Sequence, residues 1–151
     1  MYYENNYNDL MIFLKKMKNV RLAVKSFIIK DNKLLLLKRA DNNPHLPENW
    51  EPPGGRLELG EDHFEGLERE TKEEVNLDIE IGHPLTVRHF VREDQQTVTL
   101  INFLCKLKSN QLILSDEHSD YGGVEVNDSL TQYNSWYEPE FSRLLKLHKD
   151  F

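Results

Sequence analysis

The stretch WEPPGGRLELGEDHFEGLERETKEEVNL, residues 50–77, joins a Pro-Pro-Gly-Gly segment to a run of carboxylates. From Glu58 to Glu74 the chain has eight acidic residues, and Arg69 and Lys72 are the only lysine or arginine residues among them. Like charges at helical neighbour spacing oppose helix formation by roughly 0.2–0.5 kcal/mol per pair. We therefore expect something to compensate for this repulsion.

Residues 61–75 are predicted to form a helix in which three glutamates share one face. Glu70, Glu73 and Glu74 are related as i, i+3 and i+4, which places them within an arc of about 100°. Arg69 and Glu73 are four residues apart and are expected to form an ion pair. Three converging carboxylates suit a hard divalent cation such as Mg²⁺, although a solvated acidic helix face would show the same pattern. A separate ridge suited to packing on a sheet is formed by Phe64, Leu67, Thr71 and Val75.

The segment before this helix favours a metal site over a solvated face. Residues 52–55, Pro-Pro-Gly-Gly, permit a sharp bend that exposes a backbone carbonyl. The carbonyl of Gly54 would then add an oxygen ligand beside the carboxylates. Gly60 permits a second turn before Glu61, whose negative charge suits the start of a helix.

The strand pattern predicts a single α/β domain. The runs VRLAVKSFIIK and KLLLLKR flank Asp31-Asn32 and predict a β-hairpin, and polar residues 40–49 predict a loop. Four later runs predict further strands, with a turn at Asp94-Gln95 between the second and third: LDIEI, LTVRHFVRE, QTVTLINFLCKLK and QLILS. The irregular order of strands and helices favours an α/β sandwich over a doubly wound sheet.

Helices are predicted near both ends of the chain. Residues 7–18 place apolar side chains at helical spacing, and this stripe is expected to pack on the core or to form a dimer contact. Residues 136–149, WYEPEFSRLLKLHK, predict a C-terminal helix.

Composition narrows the possible partners and compartment. The net charge of −7 argues against binding to duplex nucleic acid, which requires a basic surface. No apolar run approaches the roughly 20 residues that span a bilayer, and the first ten residues lack the order of a secretion signal. The single cysteine, Cys105, lies in an apolar run and is expected to be a buried thiol. A cytoplasmic location is therefore expected.

The acidic stretch resembles the Nudix box: Gly, five residues, Glu, seven residues, Arg-Glu, an apolar residue, any residue, Glu-Glu, any residue, Gly and an apolar residue. The matching anchors are Gly55, Glu61, Arg69, Glu70, Glu73, Glu74 and Leu77. Two positions depart from the pattern, since Thr71 stands where an aliphatic residue is usual and Asn76 where glycine is usual. Threonine keeps a methyl group for packing and asparagine suits a left-handed helix end, so the chemistry is not affected.

The resemblance extends over roughly residues 20–126. AVKSFIIKDNKLLLLKRA is similar to the family's first hairpin and SDEHSDYGGVEV to its acidic loop, where Gly123 replaces a common tryptophan in the wall of the base pocket. It implies a Nudix-type α/β/α sandwich with a mixed sheet and one central acidic helix. We expect one domain over residues 1–151, with an N-terminal helical extension at 1–19, a Nudix core at 20–126 and a C-terminal helical segment at 127–151.

The resemblance implies hydrolysis of a diphosphate bond in a nucleoside diphosphate linked to another group X, with Mg²⁺ or Mn²⁺ as the cofactor. By position, Glu70, Glu73, Glu74 and the Gly54 carbonyl would be metal ligands, and Glu61 would act on the metal indirectly, for example through a water molecule. Arg69 would orient the carboxylates through a salt bridge.

Other residues have less certain roles in the implied reaction. Arg39 matches a position where relatives often place a phosphate-facing arginine, and Arg56 is a weaker candidate; either could be an ordinary surface charge. Glu70 is the first choice for the general base and Glu117 the second. Glu117 and His118 could also be ordinary loop residues.

Two other functions remain open at this stage. One is a Nudix-fold nucleotide-binding or regulatory module without turnover, although such proteins usually lack part of the acidic set. The other is an isoprenoid diphosphate isomerase, which needs a reactive cysteine, whereas Cys105 is predicted to be buried. The expected partner is a small nucleoside diphosphate derivative, with nucleotides favoured over sugars, and a homodimer formed through the first helix is possible.

Overall fold

The computed structural model describes residues 2–17, 19–109 and 111–151, which form a mixed six-stranded sheet with helices on both faces. The strands are β1 Val20–Lys30, β2 Lys33–Arg39, β3 Trp50–Glu51, β4 Ile79–Val91, β5 Thr97–Leu107 and β6 His118–Glu125. The helices are α1 Tyr2–Met17, α2 His63–Val75 and α3 Glu138–Leu147, with short 3₁₀ turns on either side of α3.

The sheet has the order β3-β2-β1-β5-β4, and β6 also pairs with β2. β1 and β5 run parallel, whereas the other pairs are antiparallel. The predicted hairpin at Asp31-Asn32 is confirmed, and both turn residues have positive φ (50° and 60°), as a tight hairpin turn requires. The parallel pairing of β1 with β5 at the centre of the sheet is therefore what makes the sheet mixed.

The two faces of the sheet carry separate apolar cores. Leu67 and Val75 of α2 pack on one face with Val24, and this core also contains the buried Cys105. Residues of α3 pack on the other face, in a core that includes Phe27, Leu34, Leu36, Phe141 and Leu144. The predicted α/β/α sandwich is confirmed.

Helix α2 begins two residues later than predicted. Asp62 caps it by accepting hydrogen bonds from the backbone N–H groups of Phe64 and Glu65, at 2.9 and 3.4 Å. Glu61 therefore lies before the helix and not in its first turn. At the other end Asn76 adopts the left-handed conformation (φ 57°) that the family fills with glycine.

Several strand predictions were wrong in detail. The two runs at residues 77–81 and 85–93 belong to the single strand β4, which passes through irregular pairing between Ile81 and Thr86. Residues 111–115 were predicted as a strand, but their N–H groups instead bond to carbonyls at the end of α2: Ile113 to Val75 and Ser115 to Glu74. Conversely, most of the stretch expected to be an acidic loop is strand β6, paired with β2.

The described side chains of helix α1, those of residues 7–15, do not pack on the core. The helix is longer than the predicted 7–18 at its N-terminus, and residue 18 lies outside the described residues. The apolar side chains Leu10, Phe13 and Leu14 are 52%, 57% and 44% exposed. The expected core contact is therefore wrong. No helix within the described ranges combines the length and the apolar character needed to cross a bilayer.

Deleting residues 1–17 is expected to change the melting temperature by less than about 2 °C, because the described apolar side chains of α1 lie in water. Differential scanning calorimetry measures this. As a control for sensitivity, Leu67→Ala removes a fully buried side chain of α2 and should cost about 2–5 kcal/mol. A large fall in melting temperature on deletion would show that α1 is packed in solution.

Candidate active site

Arg69 gathers three carboxylates around one guanidinium group. Its Nε and Nη2 donate to the two carboxylate oxygens of Glu61 at 2.6 and 2.9 Å. Its Nη1 donates to Glu70 Oε1 at 2.9 Å and to Glu73 Oε2 at 3.1 Å. The predicted Arg69–Glu73 ion pair is present. Arg69, which belongs to the acidic stretch itself, thus offsets part of the repulsion between its carboxylates.

The carboxylates in this cluster have different electrostatic environments. The hydrogen bonds that Arg69 donates to Glu61 lower the pKa of that carboxyl to about 2. Partial burial raises the pKa of Glu70 above its usual value, against the opposing effect of Arg69. Glu70 is therefore the more readily protonated of the two in the metal-free protein.

The loop before α2 runs along β1 like an additional strand. The N–H groups of Val24 and Ser26 donate to the carbonyls of Gly55 and Pro53, at 2.9 and 2.8 Å. Gly54 lies between these bonds with φ of +131°, and a Cβ atom there would clash with the Val24 carbonyl. Only glycine fits this position, because both the backbone angle and the close approach exclude a side chain.

Two glutamates of α2 meet this glycine loop. Glu74 Oε2 accepts the N–H of Gly54 at 2.8 Å. The carboxylate of Glu70 lies against Gly55, where a Cβ atom would be 2.5 Å from Oε2. Carboxylate oxygens of one element and the glycine backbone of another are therefore brought together at one point.

Helix α2 is held in this position by a polar contact as well as by its apolar ridge. Thr71 is fully buried, and its hydroxyl lies 3.1 Å from the hydroxyl of Ser26 on β1. Ser26 also donates to the carbonyl of Pro53 at 3.2 Å. The departure at Thr71 from the usual aliphatic residue is thus matched by a hydrogen-bonding partner on the sheet.

Glu74 is only 7% exposed, and this burial raises its pKa to about 7, although Lys25 and the Gly54 N–H oppose the increase. A buried carboxylate is costly when it is charged, because water no longer solvates it. At neutral pH the metal-free site therefore holds Glu74 close to its protonation midpoint.

A second charged cluster is centred on Glu51, which is 7% exposed. Lys25 Nζ donates to Glu51 Oε2 at 3.1 Å and to the Gly54 carbonyl at 2.8 Å. Arg39 binds the same carboxylate through Nε and Nη2 at 2.8 and 3.1 Å, and His118 Nε2 lies 3.4 Å from Oε1. The cations hold the pKa of Glu51 well below its usual range, against the effect of burial.

The predicted substrate residues have different surroundings. Arg39 is engaged by Glu51, and its Nη1 donates to the His45 carbonyl at 2.7 Å. Arg56 and Glu117 are exposed. Sequence reasoning missed Lys25 and Glu51.

One signal of the Glu51 cluster was available in the sequence: a lysine within the apolar strand run LAVKSFII. His118, treated as a possible loop histidine, is instead a buried residue at the start of β6.

The site offers oxygen donors suited to a hard cation. Among the described residues no three His, Cys, Asp or Glu side chains already form a metal-binding group. Glu74 nevertheless binds the Gly54 N–H, Glu70 lies against Gly55, and Glu73 shares the Arg69 guanidinium with Glu70, while the Gly54 carbonyl belongs to the same loop. Carboxylate and carbonyl oxygens are the ligands that Mg²⁺ and Mn²⁺ take, so these residues fit such an ion.

Comparison with known proteins places this geometry in a family. A family model for the NUDIX domain matches residues 19–145. The chain is 30% identical over 118 residues to the nucleoside triphosphatase NudI of Salmonella agona (strain SL483), covering 72% of this chain and 84% of that protein.

Solved structures show the same fold. The crystal structure of a MutT protein from Methanosarcina mazei Go1 superposes with a TM-score of 0.74 at 25% identity, covering 86% of this chain and 96% of that one. The structure of a C. elegans Ap4A hydrolase binary complex gives a TM-score of 0.66 at 24% identity, with coverage of 85% and 99%.

Glu74 predicts a pH dependence of stability in metal-free buffer. Because its folded-state pKa is raised, its stabilising contribution is complete below about pH 4.5 and is lost as the pH rises through about 7. Relative to Glu74→Gln, the wild type should lose on the order of 2–3 kcal/mol of unfolding free energy between these pH values. Urea unfolding with a chelator present measures this, and parallel profiles for the two proteins would contradict the assignment.

Proposed function

The chain belongs to the Nudix family and is a Nudix hydrolase, and we propose that it cleaves a diphosphate bond in a nucleoside diphosphate linked to another group X, using a divalent cation. A nucleotide is favoured as the substrate. The similarity to a nucleoside triphosphatase over 84% of its length supports this preference. The acidic site supports the divalent cation, because such an ion would offset the repulsion between its carboxylates and a polyphosphate.

The observation that carries the proposal is the convergence of Glu70 and Glu74 on the Gly54-Gly55 backbone. Glu74 accepts the Gly54 N–H at 2.8 Å, and Glu70 lies against Gly55. A solvated helix face would leave such side chains in water, whereas Glu74 is 7% exposed. A buried carboxylate whose pKa is raised by desolvation beside a specific charged partner is typical of functional sites.

The residues can be assigned roles from their contacts. Glu70, Glu73, Glu74 and the Gly54 carbonyl would hold Mg²⁺ or Mn²⁺. When bound, the ion neutralises phosphate charge and lowers the pKa of a water ligand. Glu61 would act through Arg69, which it contacts with both carboxylate oxygens, and Arg69 would fix the orientation of Glu70 and Glu73.

The general base is assigned to Glu70. Its raised pKa and its place beside Gly55 suit a carboxylate that accepts a proton from the attacking water. Glu117 is the second candidate. It is exposed, but its carbonyl accepts the Ala40 N–H at 3.0 Å, which fixes its backbone beside the end of β2.

We assign different roles to the two arginines predicted to bind substrate: one holds Glu51 in place and the other approaches a phosphate. Arg39 makes a bidentate ion pair with Glu51, so we assign it to holding Glu51 at the edge of the site. Any contact with a substrate phosphate would use the Nη2 hydrogen that does not bond to Glu51. Arg56 is exposed next to the glycine loop and is free to approach a phosphate of the substrate.

The alternative functions are less well supported. A binding module without turnover would not require the complete acidic set, which is present here. Burial raises the pKa of the Cys105 thiol to about 12, which makes it inert at neutral pH and disfavours an isomerase that uses this cysteine. The cytoplasmic location and the homodimer remain predictions; sedimentation velocity tests the latter.

Glu70→Gln is expected to lower kcat/KM for nucleotide hydrolysis by at least about 100-fold, because it removes both a metal-binding charge and the proton acceptor. The measurement is Mg²⁺-dependent release of product from a panel of nucleoside di- and triphosphates and their X-linked derivatives. Glu68→Gln is the matched control, since Glu68 is an exposed glutamate of the same helix.

Two results would count against this proposal. Equal turnover by Glu70→Gln and Glu68→Gln would remove Glu70 from the reaction. No turnover of any compound, together with nucleotide-dependent increases in melting temperature, would favour the binding module.

A further inference from the structure

The ammonium group of Lys25 occupies the backbone oxygen that the proposed function assigns to a divalent cation. Lys25 is 8% exposed, and its Nζ lies 2.8 Å from the Gly54 carbonyl and 3.1 Å from Glu51 Oε2. The carbonyl of Gly54 is therefore already paired with a positive charge in the metal-free protein.

Gly54 is fixed from both sides by charged groups. Its N–H is bound by Glu74 and its carbonyl by Lys25. Lys25 and one of the proposed metal carboxylates are thus attached to the same residue, on either side of its Cα atom. A cation bound to the Gly54 carbonyl and to Glu74 would lie close to the ammonium group.

The backbone around Lys25 cannot withdraw the ammonium group. The neighbouring residues Val24 and Ser26 donate to the carbonyls of Gly55 and Pro53, so hydrogen bonds on both sides of Lys25 tie the strand to the glycine loop. Lys25 itself faces Asn102 of β5 in the parallel register. Movement of the charge is therefore limited to the flexible lysine side chain.

Glu51 provides the second position for this charge. It is also bound by Arg39 and lies close to His118, and neither of these contacts involves Lys25. The ammonium group can thus leave the carbonyl and still have a carboxylate partner. Like charges repel strongly in a poorly solvated site. A divalent cation therefore binds the Gly54 carbonyl more favourably when the ammonium group has moved to Glu51 than when it stays at the carbonyl.

We propose that Lys25 is a built-in cation that holds the Gly54 carbonyl in the metal-free enzyme and competes with the divalent cation for it. Lys25 is a positioning residue, since it acts through Gly54. The inference rests on the proposed function for the identity of the metal ligand. A purely structural role for Lys25 makes the opposite prediction for metal affinity, because damage to the site would weaken binding.

Mn²⁺ binding to the full chain without nucleotide tests this proposal. The free Mn²⁺ signal in electron paramagnetic resonance gives the dissociation constant. Lys25→Met is expected to bind Mn²⁺ at least about tenfold more tightly than the wild type, because the competing charge is gone. Lys25→Arg, which keeps the charge, should stay closer to the wild type than to Lys25→Met. Unchanged or weaker binding by Lys25→Met would overturn the proposal.

Two further variants complete the test. Lys33→Met removes a lysine charge from an exposed ion pair with Glu125 and should leave the dissociation constant unchanged. If Lys25→Met does not fold, Lys25→Gln keeps a polar side chain beside the Gly54 carbonyl without the charge, leaves Glu51 paired with Arg39, and is expected to bind Mn²⁺ more tightly in the same way. Weaker or equal binding by this variant would overturn the proposal.

The outcomes separate this inference from the proposed function. Mg²⁺-dependent hydrolysis by the wild type, with no gain in Mn²⁺ affinity in Lys25→Met, would reject the role of Lys25 and leave the hydrolase intact. Tighter binding by Lys25→Met without turnover of any nucleotide would support the role of Lys25 and count against the hydrolase. No Mn²⁺ binding by either protein would overturn the role of Lys25, whereas the hydrolase would still be judged by its Mg²⁺-dependent turnover of nucleotides.

Discussion

The crowding of carboxylates beside a glycine loop is the constraint on which this site depends. Arg69 relieves it on the solvent side by contacting Glu61, Glu70 and Glu73 with one guanidinium group. These contacts are partly exposed and individually modest in energy, but they share one planar cation and so fix the carboxylates relative to one another. The position of α2 on the sheet then determines the direction in which these carboxylates face.

On the buried side, the same constraint is met by Lys25. Its contacts with Gly54 and Glu51 place a charge where it is largely shielded from water, and Arg39 pairs with Glu51 from the other direction. Burying such a group is tolerated only when its charge is paired and its hydrogen bonds are made. Gly54 connects the two sides, since Glu74 of α2 binds its N–H and Lys25 of β1 binds its carbonyl.

This arrangement links stability to the proposed chemistry. A site that carries its own cations can fold without metal, yet those cations occupy the oxygens that a divalent ion would use. If Lys25 competes as proposed, a metal that arrives with a diphosphate has an advantage, because the phosphate charge offsets the ammonium group. The contact between Lys25 and Gly54 would then stabilise the metal-free protein and at the same time weaken its binding of free metal.

The sequence by itself determined α2, its acidic face, the glycine turn and the first hairpin, because these depend on neighbours a few residues apart: helical spacing, Gly54-Gly55 and Asp31-Asn32. It did not predict β6, and it predicted a strand at residues 111–115 that instead bonds to the end of α2, since a strand is defined by its partner and spacing alone does not identify one. Only the tertiary structure decided which charges meet: Lys25 reaches Gly54 across 29 positions, and His118 lies close to Glu51 across 67. The physical reason is that such pairings arise from the register of the sheet and from desolvation, which act only once distant segments have been brought together.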